Sequence, residues 1–268
     1  MPNRVLLPLG KNPRLDDKRN LKFARYVSID APTPPDDCSY IDGIGDWGMM
    51  LNGPNTYGNL IPPDGLGNCT CAGACHYLQA VSATSNKEVK ETDAIVLALY
   101  MKWCGYVLGD PSTDEGGVLL DILKNWRKDG IDGHKLLAFA QIHLPSYNNK
   151  VIVSPAEIKR AIWMFGGAYV GVQLPVSAQN QDVWDVVSGQ DSTPGSWGGH
   201  CIYLVAYDKD YVYAVTWGTV QKMTWAWFAK YCDEAYACVL QDWFKITGVN
   251  PQGLDMAQLI ADLTYVTA

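Results

Sequence analysis

Two stretches of the sequence decide the fold: residues 66–76, which read LGNCTCAGACH, and residues 198–200, which read GGH. In the first stretch a Gly-Asn pair ends a loop, and the small residues after Cys69 begin a helix. In the second, two glycines let the backbone approach closely before His200 opens a strand. A cysteine at a helix N-terminus and a histidine at a distant strand start are typical of a site that activates a thiol.

Composition excludes several classes of protein. The chain has 268 residues, 48% hydrophobic and 11% aromatic, which is enough for one large core or two lobes. Its net charge of −7, with no cluster of Lys or Arg, predicts no binding to nucleic acid. No apolar run approaches the roughly 20 residues of a membrane span, and the N-terminus lacks the apolar core of a secretion signal. We therefore expect a cytoplasmic protein with no membrane partner.

The eight cysteines are predicted to be mostly reduced, because a chain of this size needs no disulfides and shows no export signal. Cys104 and the three cysteines after it are interpreted as small buried apolar residues. A zinc site is an alternative for Cys69, Cys71, Cys75 and His76. Four ligands in so short a helical stretch cannot all face one ion, so no metal and no cofactor are predicted.

Proline and glycine divide the chain into four parts. Residues 1–45 hold six prolines and read as an extended N-terminal arm. Residues 46–150 form a predicted helical lobe with the cysteine helix, and residues 151–245 a predicted β lobe with the histidine strand. Residues 246–268 are predicted to add an amphipathic C-terminal helix. A helical lobe followed by a β lobe indicates the α+β class.

Local signals place the individual helices and strands. Thr92 and Thr224 are predicted N-caps, and Ser154 followed by Pro155 predicts another helix start. A Gly-Gly pair at 166–167 ends that helix. Predicted helices span about 69–82, 92–101, 117–129 and 155–165, with a short one after 224, and predicted strands span 168–174, 200–207, 211–217 and 235–240.

Several motifs together resemble the papain-like cysteine peptidase family. The resemblance implies a two-lobed fold, a helical lobe followed by a β-barrel-like lobe, with a cleft between the cysteine helix and the histidine strand. It implies Cys69 as the nucleophile and His200 as the general base and acid. A narrower set of motifs is similar to uncharacterised papain-like proteins of bacteriophages and bacteria over most of residues 45–245. The motifs are WGM at 47–49, LGNC at 66–69, DEG at 114–116, NWRKDGI at 125–131, GSWGGH at 195–200, VTWG at 215–218 and MTWA at 223–226.

One position next to the histidine departs from the pattern of that family. The family has an asparagine that orients the imidazole, and this chain has Val215 there. Orientation of His200 must then come from another side chain. Thr216 and Asp208 are the two alternatives, and Trp217 is expected to shield the imidazole ring from water.

A second position departs from the pattern near the cysteine. The family has a glutamine that donates a hydrogen bond to the oxyanion, and this chain has Pro63 there. The remaining candidates for side-chain donors are Asn52, Asn59 and Asn68, with the backbone N–H of Cys69 as the second donor. Loss of one oxyanion donor lowers turnover by a factor of roughly 10² to 10³.

Two classes of function remain open. The first is a cysteine peptidase or amidase, impaired by the two departures, that hydrolyses a peptide or protein substrate in the cleft by acyl-thioester chemistry. The second is a catalytically inactive papain-like protein, a pseudoenzyme with a structural or assembly role, for example a phage virion component. It would be virion-associated and use residues 1–45 and 246–268 for self-association or contact with virion subunits. Residues 1–45 are either a propeptide or an assembly arm.

Overall fold

The computed structural model describes residues 7–28, 30–54, 57–84, 87–142, 144–147, 150–241, 243, 255, 257–258 and 260–261. The predicted C-terminal helix, residues 246–268, lies largely outside these described residues. No helix among them has the length and the hydropathy needed to cross a membrane.

Local sequence signals account for the helices. Thr92 caps its helix by accepting a hydrogen bond from the backbone N–H of Ile95, and Thr224 accepts one from Trp227. Gly166 ends another helix in the left-handed conformation that favours glycine. These three predictions are confirmed. Within the described ranges the α-helices are α1 (Cys69–Ala83), α2 (Asp93–Cys104), α3 (Leu119–Asp129), α4 (Pro155–Phe165) and α5 (Trp225–Tyr231).

Strands form most of the second half of the described chain. They are β1 (Cys38–Ser39), β2 (Leu136–Gln141), β3 (Leu144–Tyr147), β4 (Lys150–Ile152), β5 (Ala168–Leu174), β6 (Val183–Trp184), β7 (Gly198–Tyr207), β8 (Tyr211–Thr216), β9 (Thr219–Thr224) and β10 (Cys232–Leu240). Eight of them form one large sheet in the order β2-β10-β5-β7-β8-β9-β6, with β1 paired to one end of β7, and its pairings are antiparallel except for β6 with β9. Strands β3 and β4 pair with each other in a separate two-stranded sheet. The predicted α+β class is confirmed, although the described strands form an open sheet and not a closed barrel.

Strand β2 was not predicted from the sequence. It reads Leu-Leu-Ala-Phe-Ala-Gln, a run without strand periodicity and rich in good helix formers. Its pairing partner is β10, which lies about a hundred residues later in the chain. A non-local partner therefore decides the conformation of this segment, as tertiary context often does.

Helix α1 is the buried centre of the fold. Every residue of α1 from Cys69 to Ser82 is buried, because most side chains of the helix are apolar or small and the polar His76 and Gln79 hydrogen-bond backbone carbonyls. It packs closely on β7 at Gly73, where an added Cβ would lie 3.1 Å from Cys201 Sγ. The hydroxyl of Tyr169 donates to the carbonyl of Thr70 at 2.7 Å, which ties the start of α1 to β5.

Tyr77 connects α1 to the far end of the sheet. Its hydroxyl donates to the carbonyl of Cys238 at 2.6 Å and lies close to the carbonyls of Phe165 and Gly167. Its ring stacks on Tyr203 with centroids 4.8 Å apart. The Tyr77 hydroxyl therefore lies where the end of α4 meets strand β10, close to backbone carbonyls of both segments.

Removal of the Tyr77 hydroxyl is expected to destabilise the protein. Tyr77→Phe removes the hydroxyl that donates to the buried Cys238 carbonyl, so we expect the free energy of unfolding to fall by about 1–3 kcal/mol. Urea denaturation measures the change. Tyr106→Phe is the control, since the bond that its hydroxyl donates, to the Leu60 carbonyl, is longer at 3.3 Å. Equal losses in the two variants would contradict this role of Tyr77.

Candidate active site

Cys69 lies where α1 begins, as the sequence predicted. The thiol is buried, with the residue only 1% exposed. Its sulfur accepts a hydrogen bond from the backbone N–H of Cys201, with an N···S distance of 3.4 Å. Cys201 follows His200 on β7, so the structure places the start of the cysteine helix against the strand that carries the histidine.

His200 is held on two sides. Its Nε2 atom lies 2.7 Å from the hydroxyl oxygen of Thr216 at the end of β8. Its ring stacks on Trp217, with centroids 4.4 Å apart and planes at 16°, and Trp197 stacks on that tryptophan in turn. Within the described part of the chain the Nδ1 atom is buried and has no hydrogen-bond partner. The contact at Nε2 therefore orients the imidazole, and its Nδ1 atom is available to another group.

The other candidate for orienting the histidine lies elsewhere. Asp208 is at the turn between β7 and β8, where its carboxylate accepts hydrogen bonds from the Tyr213 hydroxyl and the backbone of Tyr211. His200 lies near the opposite end of β7. Val215, the residue at the asparagine position of the family, pairs with Tyr203 within the sheet.

The asparagines proposed as oxyanion donors support the loop before α1. The amide of Asn52 donates to the carbonyls of Leu66 and Pro8, at 2.9 and 3.3 Å. The amide of Asn68 donates to the carbonyl of Met50 at 2.9 Å. In this state both amides are engaged with backbone oxygens. Asn59 lines a surface cavity of about 330 Å³, together with Gly58, Leu60, Ile61, Pro62, Pro63 and Pro111.

The N-terminal arm runs through the site. We call residues 7–12 the strap. The backbone N–H of Lys11 donates to the carbonyl of Gly199, while Gly117 donates to the carbonyl of Gly10 and its own carbonyl accepts from Asn12. The strap is therefore paired on one side with the strand that carries His200 and on the other with the segment before α3.

Gly10 is the residue of the strap that passes over Cys69. The backbone N–H of Gly10 lies near enough to the Cys69 thiol to lower its pKa, against the larger opposite effect of burial. A Cβ added at Gly10 would lie 1.6 Å from the carbonyl oxygen of Gly67, a backbone atom that cannot move aside easily. Only glycine therefore fits where the chain passes over the thiol.

Burial determines the protonation of the pair. It raises the pKa of the Cys69 thiol to about 11 and lowers the pKa of the His200 imidazole to about 3. Hydrogen bonds from the backbones of Cys201 and Gly10, and the charge of Lys11, offset part of the rise at the thiol. At neutral pH both groups are uncharged while the strap is in place.

The cysteines and histidine near Cys69 have other partners. The neighbouring Cys104 side chain, together with burial, raises the pKa of the Cys71 thiol. His76 uses its Nε2 atom toward the carbonyl of Gly48, at 3.1 Å. Among the described residues no three His, Cys, Asp or Glu side chains form a group that could hold a metal ion.

Sequence reasoning did not identify the partners of the strap. Gly10, Lys11 and Gly117 carry no chemical signature of a site, and the pairing between them joins segments about a hundred residues apart. The available signal was the glycine pair at 116–117, since paired glycines often allow another backbone to approach closely.

Substitution of Gly10 is expected to open the site. In Gly10→Ala the new methyl group collides with the Gly67 carbonyl, so the strap leaves and water reaches Cys69. We expect alkylation of Cys69 by iodoacetamide at pH 8 to become at least about tenfold faster, because a hydrated thiol ionises more readily. Peptide mapping by mass spectrometry measures the rate.

The pH profile separates a closed site from an open one. In the unmodified protein, alkylation of Cys69 is expected to rise with pH toward the thiol pKa of about 11. In Gly10→Ala the rise is expected near the ordinary cysteine value of about 8.5 or lower. Gly45→Ala is the matched control, since an added Cβ there meets nothing within 4 Å. Unchanged labelling of Cys69 in Gly10→Ala would contradict the covering role of the strap.

Comparison with known proteins places the fold. No family model matches the sequence, and no curated protein matches it. The structure is similar to xylellain, a cysteine protease from Xylella fastidiosa, with 11% identity over 87% of this chain and 96% of that one and a TM-score of 0.59. It is also similar to a procathepsin B from Trypanosoma congolense, with 9% identity over 89% and 88% of the two chains and a TM-score of 0.58. The chain therefore has the fold of papain-like cysteine proteases.

Proposed function

We propose that the protein is a cysteine peptidase or amidase in a latent state, with the strap closing the cleft over Cys69. The observation that carries this proposal is the state of His200. Its ring is held by Thr216 and Trp217, and its Nδ1 atom is buried without a partner in the described chain. An oriented imidazole on the strand that contacts the start of the cysteine helix has the parts that nucleophilic catalysis requires.

Release of the strap changes the charge state of the pair. Water then enters the cleft and removes much of the burial that keeps Cys69 and His200 neutral. The positive end of the α1 dipole favours the thiolate, and the thiolate favours the protonated imidazole. The reactive ion pair therefore forms only in the open state.

The reaction follows from these groups. The sulfur of Cys69 attacks the substrate carbonyl while His200 holds the thiol proton, and the imidazole then gives that proton to the leaving amine. Water, deprotonated by the same imidazole, cleaves the thioester and regenerates the thiol. The backbone N–H of Cys69, in the first turn of α1, has no acceptor within the helix and is a donor for the oxyanion.

The strap indicates which kind of substrate fits. An extended backbone already occupies the cleft, bonded to Gly117 on one side and to Gly199 on the other. A peptide segment of a substrate that takes the place of the strap finds the same donors and acceptors. The proposed substrate is therefore a peptide or an extended segment of a protein.

A second candidate is a structural or assembly protein that keeps the fold with the cleft permanently closed. The neutral, fully buried state of Cys69 and His200 favours this candidate. So does the burial of Lys11, which anchors the strap in the body of the protein. The two candidates differ in one respect, namely whether the open site hydrolyses a peptide.

Hydrolysis by the opened protein tests the proposal. We expect Gly10→Ala to cleave members of a broad fluorogenic peptide library and the double variant Gly10→Ala, Cys69→Ala to be inert. Gly45→Ala provides the closed control. If Gly10→Ala reacts with iodoacetamide at Cys69 yet cleaves no peptide, the structural candidate replaces the peptidase.

Thr216 is expected to act as a positioning residue for His200. In the Gly10→Ala background, Thr216→Val removes the hydroxyl at Nε2, so we expect kcat to fall by about 10- to 100-fold with little change in KM. Thr216→Ser keeps the hydroxyl and is expected to restore most of kcat. Thr193→Val, at an exposed hydroxyl, is the control. Equal kcat in the Val and Ser variants at position 216 would exclude the role.

A further inference from the structure

The side chain of Lys11 fills a pocket in the body of the protein. Its ammonium lies 2.9 Å from the Asp233 carboxylate and 3.1 Å from the Glu234 carboxylate. The Lys11 and Glu234 side chains are fully buried, whereas the Asp233 side chain is 22% exposed. A lysine with its whole side chain inside a protein is rare unless the pocket is built for its charge.

The pocket belongs to the sheet and not to the strap. Asp233 and Glu234 are neighbours on β10, where Asp233 also accepts a hydrogen bond from Gln173 at 2.7 Å and Glu234 accepts one from Tyr236 at 3.2 Å. Gly171 pairs with Glu234 across the sheet, and a Cβ added there would lie 2.1 Å from Lys11 Cε. The missing side chain makes the channel for the lysine stem.

The pocket is suited to a cation when the strap is absent. Burial lowers the pKa of Lys11, but the carboxylates of Glu234 and Asp233 outweigh it and hold that pKa above its ordinary value. Removal of one partner from a buried ion pair leaves an uncompensated charge at high cost. An open cleft with Glu234 unpaired is therefore ready to bind another alkylammonium group.

The position of the pocket connects it to the chemistry. Lys11 is the next residue after Gly10, whose backbone contacts the Cys69 thiol. A peptide lying along the path of the strap therefore places one side chain in the pocket when its neighbouring residue is at the thiol. The pocket selects a residue adjacent to the reacting centre.

We propose that Asp233 and Glu234, with Gly171 as the floor, form a specificity pocket for a lysine side chain of the substrate, which the strap fills with Lys11. This inference rests on the proposed function, because it makes the strap an occupant that the substrate replaces. Two carboxylates from adjacent residues around a single ammonium suit the compact charge of lysine.

Chemical rescue of an emptied pocket tests the assignment. Lys11→Ala in the full-length chain removes the ammonium, and n-butylammonium chloride supplies one. Near tenfold excess over its Kd, we expect the amine to raise the Tm of Lys11→Ala by about 2–4 °C, with no rise for the unmodified protein. Tetramethylammonium chloride at equal concentration controls for ionic strength, since it has no hydrogen to donate.

The matched variant replaces the carboxylate of Glu234 with an amide. In Lys11→Ala, Glu234→Gln the rise with n-butylammonium is expected to disappear. Equal shifts with the two ammonium salts, or an unchanged rise in the double variant, would overturn the assignment. A larger rise with n-propylguanidinium would assign the pocket to arginine and overturn the choice of lysine.

If Lys11→Ala does not fold, Gly10→Ala empties the same pocket by expelling the strap, and the same three additives and criteria apply. Because the readout is thermal stability, it does not depend on catalysis. A pocket that binds n-butylammonium in a protein with no peptidase activity would separate failure of the proposed function from failure of this assignment.

Discussion

The packing of α1 against β7 is the constraint on which the site depends. Glycine at position 73 lets the helix approach Cys201 closely, and the Cys201 N–H reaches the sulfur of Cys69. The same strand carries His200, so one helix–strand contact sets the position of Cys69 relative to the strand of the imidazole. A larger residue at position 73 would displace the helix start, and with it the geometry of the pair.

Burial beneath the strap has two opposite effects on Cys69 and His200. Burial makes the protein more stable and the interior better packed, yet it removes the water that supports charges on Cys69 and His200. The strap satisfies the backbone groups of Gly117 and Gly199 that an empty cleft leaves to solvent. The contacts that satisfy these backbone groups therefore also keep Cys69 and His200 buried and neutral.

The sequence predicts local features well and long-range ones poorly. Thr92, Gly166 and the start of α1 at Cys69 could be predicted because a cap or a helix end is decided by neighbouring residues. The choice of Thr216 over Asp208 as the partner of the imidazole depends on the register of β7 and β8, which contains an irregularity. The path of the strap depends on pairings between distant segments, and no local pattern encodes those.

The covalent link between the strap and the body has a consequence for competition. A tethered segment acts at an effective concentration that is about millimolar for short flexible connections, whatever the concentration of the protein. A free peptide with the same contacts would need to reach that level before it displaced the strap. Under the proposed function a dilute peptide therefore leaves the strap in place, and a substrate must also bind outside the strap or meet a chain in which the connection has been cleaved.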